Sequence, residues 1–348
     1  MTPLDARGAR GAPGGFAGRA RGAGLTARAA LVALVALVAL VAFGVSLPLL
    51  SGEAFAGTAL PGHARQGNVL LALGDSLASG YQPTYGRRPP PLDPATGLPD
   101  LGYPGGYARV LASAEHLRLL DLACPGETTA SFAGTPARAA CGSFYRKLTG
   151  ATSQLGAALA WLKAHRGAVA VVTIDLGAND VTGCAARGQV DLTCLARITA
   201  AARQRLARDL SRLRAALGAD DPSARLVGMT YYDPFLGLAY RPGGPEGVAE
   251  AALSVVGVAA FNAVLTQVFT SHGAAVADVA GAFETGSLQP VQRFQGVVLT
   301  HDAAVVCRLT WMCPAPHTRA PDIHPNTAGY ARIAGAFETV LRRRASVR

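Results

Sequence analysis

Five short apolar runs alternate along the chain with longer segments in which apolar residues recur at helical spacing. Unbroken apolar strands that alternate with helices predict a parallel sheet covered by helices on both faces. Asn326 is well placed to cap the closing helix. The predicted strands cover residues 69–73, 117–122, 168–176, 225–230 and 274–279, and the predicted helices cover residues 107–116, 155–165, 198–217, 248–271 and 327–344.

Three long segments, at residues 80–103, 231–247 and 283–321, show neither the helical spacing nor the apolar runs of strands. Long loops in a compact domain are often functional. We expect all three to lie near the carboxyl edge of the sheet, where they could form the walls of a pocket.

The amino-terminal region is typical of an export signal. Residues 29–50 are almost wholly apolar and follow an arginine-bearing leader, and Ala54-Phe55-Ala56 then offers a small-x-small cleavage site. About 20 apolar residues can also span a bilayer, so an uncleaved anchor that tethers the protein to the membrane is the alternative. Both interpretations divide the chain into a leader at residues 1–56 and one exported domain at residues 57–348.

The six cysteines agree with export, because they form three local couples with separations of 17, 10 and 6 residues. Nearest-neighbour disulfides are the simplest pairing, and such bonds persist in oxidising compartments. A metal site is disfavoured because no Cys-x-x-Cys spacing occurs and no cysteine stands beside a histidine at ligand spacing. The predicted couples are Cys124 with Cys141, Cys184 with Cys194, and Cys307 with Cys313.

The formal net charge of +10 does not predict a nucleic-acid partner, since no basic run is interleaved with aromatic residues. The arginines at 342–344 lie at a helix end, where they complement the helix dipole. Half of the residues are hydrophobic, which is ample for one full core. We expect a monomer.

Ser76 is the leading candidate for chemistry. An apolar run stops at Gly74-Asp75-Ser76, which predicts a buried strand that ends in a tight turn with a serine hydroxyl at its carboxyl end. In open α/β sheets ligands bind at such ends. A serine hydroxyl becomes a nucleophile only beside a base that is itself oriented by a partner. Asp75 is expected to brace the turn.

Among the seven histidines, His324 is the candidate base. Pro325 keeps it out of a helical conformation, so its ring is expected to project from a loop directly before the closing helix. His301, next to Asp302, is kept as a reserve base, and the others are read as ordinary surface or loop residues.

Two further strand ends offer hydrogen-bond donors. Gly126 follows the second strand and can bring its N–H close to a ligand, although a simple strand-to-helix turn explains it equally. Asn179 follows the third strand and can direct its amide into a site, although an Asn-Asp turn is the plain alternative. Together with Ser76 and His324, they converge on one edge of the predicted sheet.

In this order, Gly74-Asp75-Ser76, Gly126, Gly177-Ala178-Asn179-Asp180 and His324 resemble the SGNH (GDSL) hydrolase family, and exported actinobacterial members in particular. The resemblance covers about residues 68–340. It implies a three-layer α/β/α sandwich with a flavodoxin-like sheet of about five strands, and ester hydrolysis with no metal or other cofactor. It further implies Ser76 as nucleophile, His324 as base, and an oxyanion hole formed by the N–H groups of Ser76 and Gly126 and the side chain of Asn179.

One position departs from the family pattern. The family commonly places its triad aspartate three residues before the histidine, where this chain has Pro321, and Asp322 lies only two before. Either Asp322 or a backbone carbonyl near Pro321 is expected to orient His324. Trp311 and Met312 are expected either to flank an acyl pocket or to lie in an ordinary stapled loop.

The resulting prediction is an exported serine esterase or lipase that acts on carboxylic or lipid esters. The alternatives are a carbohydrate O-deacetylase of cell-envelope glycans and a tethered binding module without catalysis.

Overall fold

A parallel five-stranded sheet forms the centre of the protein. The computed structural model describes residues 67–83, 104–136, 139–184, 191–240, 245–313 and 321–343, so the predicted leader and most of the segment at 80–103 lie outside the described residues. The strand order is β2-β1-β3-β4-β5. The strands are β1 (Val69–Gly74), β2 (Arg118–Asp121), β3 (Val169–Asp175), β4 (Arg225–Met229) and β5 (Ala275–Ala277).

Helices cover both faces of this sheet, as the apolar pattern predicts. The connections α1 (Tyr107–Ala114), α4 (Gln154–Ala164), α6 (Leu192–Asp220) and α7 (Pro245–Ser271) join successive strands, and α10 (Thr327–Arg343) closes the domain. Helices α1 and α10 pack together, with Tyr107 stacked on Phe337 at 5.0 Å between ring centroids, while α4, α6 and α7 pack side by side. The predicted α/β sandwich is therefore confirmed.

The burial of the strands follows their position in the sheet. Every residue of β1 and β3 is buried, whereas the edge strands β2 and β5 are only partly buried. In the sheet, β2 lies on one side of β1 and β3 lies on the other. The order in which the chain adds strands to the sheet therefore reverses between β1 and β3. Ligands of open α/β sheets bind in the crevice at such a reversal.

Four short helices, absent from the prediction, follow the sheet edges or complete the outer layers. They are α2 (Thr129–Phe132), α3 (Ala139–Thr149), α5 (Ala178–Val181) and α8 (Val279–Ala282). Asn326 Oδ1 accepts the Gly329 N–H at 3.1 Å and so caps α10 as expected.

Two of the segments predicted to be loops contain regular structure. Residues 231–247 include a 3₁₀ helix at Pro234–Tyr240, and residues 283–321 include a hairpin and a helix. These elements enclose a second, smaller apolar cluster around Leu236, Ala303 and Met312. The additional elements are β6 (Gln292–Phe294), β7 (Val297–Leu299), α9 (His301–Leu309), β8 (Thr310–Trp311) and β9 (Asp322–Pro325).

The three predicted disulfides are present. Cys124 bonds Cys141, Cys184 bonds Cys194, and Cys307 bonds Cys313. The nearest-neighbour pairing is thus confirmed.

One helix among the described residues, Gly247–Ser271, is long and apolar enough to cross a membrane by length and composition. Its side chains Phe261, Leu265 and Phe269 are buried in the main core, and it packs on β4 and β5. We therefore interpret it as a core helix of the sandwich.

Candidate active site

Ser76 stands in a tight turn directly after β1. Gly74 ends that strand at a φ of 137°, and a Cβ there would approach Asp175 Oδ1 to 1.7 Å, so only glycine fits. Asp75 Oδ1 accepts the Leu77 N–H at 2.9 Å and braces the turn, as expected. The serine hydroxyl is thereby placed at the carboxyl end of a central strand.

His324 reaches this hydroxyl from the opposite end of the chain. Its Nε2 lies 2.8 Å from Ser76 Oγ, and its Nδ1 lies 2.6 Å from Asp322 Oδ1. The ring is thus held by the side chain of Asp322 rather than by a backbone carbonyl near Pro321. Serine, histidine and aspartate therefore form one continuous hydrogen-bonded series.

The prediction that His324 projects from a loop is wrong, because the residue lies on β9. Antiparallel pairing with β8 draws this segment into a strand. Thr310 pairs with Pro325 and Trp311 with Asp322, so Ile323 and His324 form a bulge opposite no residue of β8. Bulges re-aim side chains, and this one directs the imidazole towards Ser76.

Asp322 overcomes its short separation from His324 by closing an Asx turn. Its Oδ1 accepts the backbone N–H of His324 at 2.9 Å as well as the ring Nδ1–H. An aspartate readily bonds the N–H two residues on, so the local backbone turns the carboxylate back towards the ring. The departure from the family spacing is thus accommodated by the turn.

The electrostatics fix the tautomer of the imidazole. Partial burial raises the pKa of Asp322, but the hydrogen bonds and charge of His324 outweigh this effect and hold the pKa below its ordinary value. An ionised Asp322 can only accept, so Nδ1 of His324 carries the proton that it donates. Nε2 is then free to accept the hydroxyl proton of Ser76.

Aromatic and amide side chains contact β9 and help to hold it in place. The ring of Tyr81 lies 4.5 Å from that of His324, between centroids. Trp311 Nε1 donates to Gln82 Oε1 at 2.8 Å, and Gln82 Nε2 donates to the carbonyl of Pro325 at 2.9 Å. Trp311 therefore supports the strand that carries the histidine.

The expectation that Trp311 and Met312 flank an acyl pocket is wrong. Met312 is buried in the second apolar cluster and Trp311 points to Gln82, so neither lines the cavity beside Ser76.

The three donors predicted for an oxyanion hole have the following surroundings. Gly126 has a φ of 86°, which glycine alone adopts freely. Within the described residues, neither its N–H nor that of Ser76 donates to another protein group. Asn179 Nδ2 donates to the carbonyl of Glu127 at 2.9 Å and makes a longer contact of 3.2 Å with Asp75 Oδ2.

Gln154 and Glu127 hold the surrounding loops together, and the sequence analysis missed both. Gln154, fully buried at the start of α4, accepts the Gly74 N–H at 2.6 Å and donates to the Gly74 carbonyl at 2.9 Å. Its amide also donates to Glu127 Oε2 at 3.2 Å. This network joins the serine turn to the Gly126 loop; a glutamine at a helix start gives no sequence signal for it.

A mostly apolar cavity, open at its mouth, lies beside these groups. Its lining includes Ser76, Asn179 and His324 but not Gly126. The other walls come from α5, α6, α7 and the 3₁₀ helix. Apolar side chains that line it include Leu77, Val181, Leu195, Phe235, Val258, Phe261 and Ile323.

His301, the reserve base, lies elsewhere. Its ring contacts the side chains of Glu284 and Gln292, next to the β6–β7 hairpin. No group of three or more His, Cys, Asp or Glu side chains suited to a metal occurs in the part of the chain that the structure describes.

Two carboxyl groups are buried beneath the serine turn. Asp75 and Asp175 are 1% and 0% exposed. Burial raises the pKa of Asp75 to about 6, and burial together with the charge of Asp75 raises the pKa of Asp175 well above its ordinary value. Asp175 was not predicted from the sequence, although an acidic residue that ends an otherwise apolar strand is a signal for it.

Residues 72–332 match the model of the GDSL-like lipase/acylhydrolase family. The chain belongs to this family. The match spans three quarters of the sequence and confirms the resemblance seen in the motifs. This GDSL-like protein is accordingly a carboxylic ester hydrolase.

Solved structures similar to this GDSL-like protein include two from Streptomyces. Phospholipase A1 from Streptomyces albidoflavus NA297 is 18% identical, with a TM-score of 0.47 and coverage of 78% of this chain and 99% of the other. An extracellular lipase from Streptomyces rimosus is 19% identical, with a TM-score of 0.44 and coverage of 78% and 99%. No curated protein matches the sequence.

Proposed function

We propose that the protein is an exported serine esterase or lipase that hydrolyses esters through an acyl-enzyme intermediate. The observation that carries the proposal is the series from Ser76 Oγ through His324 to Asp322, with contacts of 2.8 and 2.6 Å, at the rim of an apolar cavity. These distances lie within the reach required between a nucleophile, its base and the group that orients the base.

The first half of the reaction forms the acyl-enzyme. His324 Nε2 takes the proton of Ser76 while Oγ attacks the ester carbonyl, and the imidazolium is stabilised by the ionised Asp322. His324 then gives this proton to the departing alcohol. In the second half His324 removes a proton from water, the resulting hydroxide attacks the acyl carbonyl, and the acid leaves as Ser76 recovers its proton.

The tetrahedral intermediates require donors for their oxyanion. We assign this role to the N–H groups of Ser76 and Gly126 and to Nδ2 of Asn179. The unengaged N–H groups support the first two assignments. The long 3.2 Å contact of Asn179 with Asp75 supports the third, because that N–H can turn to the oxyanion while the 2.9 Å bond to Glu127 keeps the amide in place.

The cavity favours an apolar acyl chain as the group that is bound. Its walls are mainly aliphatic and aromatic, so burial of methylene groups there is favourable at about 0.8 kcal/mol each. A glycan would find few hydrogen-bonding partners along these walls. For this reason we place a lipid or carboxylic ester ahead of an acetylated glycan as substrate.

Export completes the proposal. Three disulfides are typical of an oxidising compartment, and the apolar segment at residues 29–50 has the plan of a signal peptide or anchor. The hydrolase domain would then occupy residues 57–348 and act outside the cytoplasm.

The nucleophile can be tested with a fluorophosphonate probe and with p-nitrophenyl esters. We expect the wild type to be labelled and Ser76→Ala to be neither labelled nor active, while the exposed variant Ser211→Ala behaves as wild type. Labelling of S76A, or unchanged turnover by it, would disprove the assignment. An unlabelled wild type would instead indicate a binding module without catalysis.

The acyl preference is tested by a panel of esters from C2 to C16 that includes an acetylated glycan. We expect kcat/KM to rise from acetate to a longer chain. Faster hydrolysis of the acetylated glycan than of every acyl ester would favour the O-deacetylase instead.

A further inference from the structure

Asp175 is buried beneath the catalytic turn and takes no part in the proposed reaction. It ends β3, directly beside Gly74 of β1, and is fully buried. Its Oδ1 accepts the hydroxyl of Tyr107 at 3.4 Å, whereas its Oδ2 is buried with no hydrogen-bond partner among the described residues. A buried carboxyl oxygen without a donor is costly, so this atom needs an explanation.

The neighbouring carboxyl group supplies one. Asp75 directly follows Gly74, the register partner of Asp175, and the two carboxyl groups affect each other's ionisation. Asp75 itself accepts the Leu77 N–H and contacts Asn179 and Tyr231. Two buried carboxylates in contact cannot both stay ionised, because each raises the energy of the other. If Asp175 keeps its proton, its orphaned oxygen becomes the donor and Asp75 the charged acceptor.

The surroundings determine which of the two keeps the proton. Asp75 accepts the Leu77 N–H at 2.9 Å and faces His324. Burial and the charges of Asp75 and Asp121 disfavour ionisation of Asp175, and they outweigh the backbone N–H groups of Ala78 and Asp175 that favour it. The hydroxyl groups that face the pair are neutral, since burial raises the pKa of each well above its ordinary value. They belong to Tyr107 of α1, Tyr231 after β4 and Tyr330 of α10.

We propose that Asp175 is a protonated positioning residue that donates a hydrogen bond to the Asp75 carboxylate and thereby holds the serine turn in its catalytic place. This inference rests on the proposed function, because it gives Asp175 a positioning role at the proposed catalytic site. The acid–carboxylate bond is charge-assisted and therefore stronger than a neutral one.

Substitution at position 175 separates positioning from mere packing. Asp175→Ala removes the donor, so we expect kcat to fall by about tenfold, with little change in KM. Loss of the donor also destabilises ionised Asp75, and the acid limb of the kcat profile should move to higher pH. Asp175→Asn keeps an N–H donor in the same place and should restore most of kcat and the wild-type profile.

Asp221 offers a matched control at the other end of β3. Its Oδ1 accepts the Val169 N–H at 2.8 Å, and its Oδ2 is likewise buried with no partner in the part of the chain that the structure describes. Asp221→Ala should lower stability and leave the pH profile of kcat unchanged. If D175A keeps the wild-type profile, or if D175N is as impaired as D175A, the proposal is wrong.

Infrared spectroscopy gives a readout that does not depend on activity or on the folding of D175A. At pH 8 the wild type should show the carbonyl stretch of a protonated carboxyl group, and D175N should lack it, whereas Asp221→Asn should retain it. Absence of a band that D175N removes would overturn the proposal. Fluorophosphonate labelling of the wild type tests the proposed function separately, so the two failures are distinguishable.

Discussion

At the scale of single residues, the Asx turn of Asp322 compensates for its short sequence separation from His324. One oxygen of this carboxylate accepts both the backbone N–H and the ring Nδ1–H of His324, at 2.9 and 2.6 Å. The same bond that fixes the backbone therefore also aims the ring. A backbone carbonyl could accept the ring proton too, but it could not balance the positive charge that forms on the imidazole.

Asp322→Asn tests this role. The amide keeps the turn but favours the wrong imidazole tautomer, so we expect kcat to fall by about 10³- to 10⁴-fold with KM nearly unchanged. The measurement is steady-state kinetics on a short p-nitrophenyl ester. A fall of less than tenfold would mean that Asp322 only shapes the backbone.

At the scale of elements, α7 combines a core face with a cavity wall. Phe261 is buried in the main core and also lines the cavity, while Val258, one turn earlier, is partly exposed in it. Ala259 is the next residue and faces solvent. Adjacent positions of one helix thus separate the cavity from the outer surface.

Val258→Phe should narrow the cavity without touching the serine turn. We expect kcat/KM for C12 to C16 esters to fall by about tenfold relative to C2 and C4 esters, because added bulk displaces the distal methylenes. Ala259→Phe adds similar bulk on the solvent side and should leave the ratio unchanged. An equal effect of both variants would place the acyl chain outside this cavity.

The elements also show which features a sequence can reveal. The five strands and the residues at their ends were predictable because unbroken apolar runs mark buried parallel strands. The β8–β9 pair was not, since Thr310 and Trp311 form a two-residue strand whose partner lies beyond a separate segment. Helix α9 is short and sits inside a segment that was read as a loop.

The site was predictable to the same degree. Ser76, Asn179 and His324 each follow or precede a recognisable element, so their meeting at one cavity follows from the topology of a parallel sheet. The acid pair was not predictable, because the contact of Asp175 with Asp75 depends on the β1–β3 register and on burial that no local pattern reports.

At the scale of the whole molecule, another buried acid links stability to pH. Burial raises the pKa of Asp233 to about 6, although Ser254 and the Phe235 N–H donate to it. A folded pKa above the unfolded value means that the folded state binds the extra proton. The protonated Asp233 therefore contributes fully to stability below about pH 4, and this contribution is lost as the pH rises through about 6.

Asp233→Asn removes this titration. We expect the free energy of unfolding of the wild type, relative to D233N, to fall by up to about 3 kcal/mol between pH 4 and pH 7. Urea titrations of both proteins at several pH values measure the difference. A difference that stays constant across this range would show that burial does not raise the pKa of Asp233.

The arrangement of Asp322 and His324 on one strand divides the reactive groups into two pieces. The acid and the base lie together on β9 and the nucleophile follows β1, so within the reactive series only the 2.8 Å contact between His324 Nε2 and Ser76 Oγ crosses between the pieces. The bond from Gln82 to the Pro325 carbonyl and the ring contact of Tyr81 with His324 also join the two pieces. Heat inactivation would then require these joints to open together, and the pairing of Asp322 with His324 would outlast its alignment with Ser76.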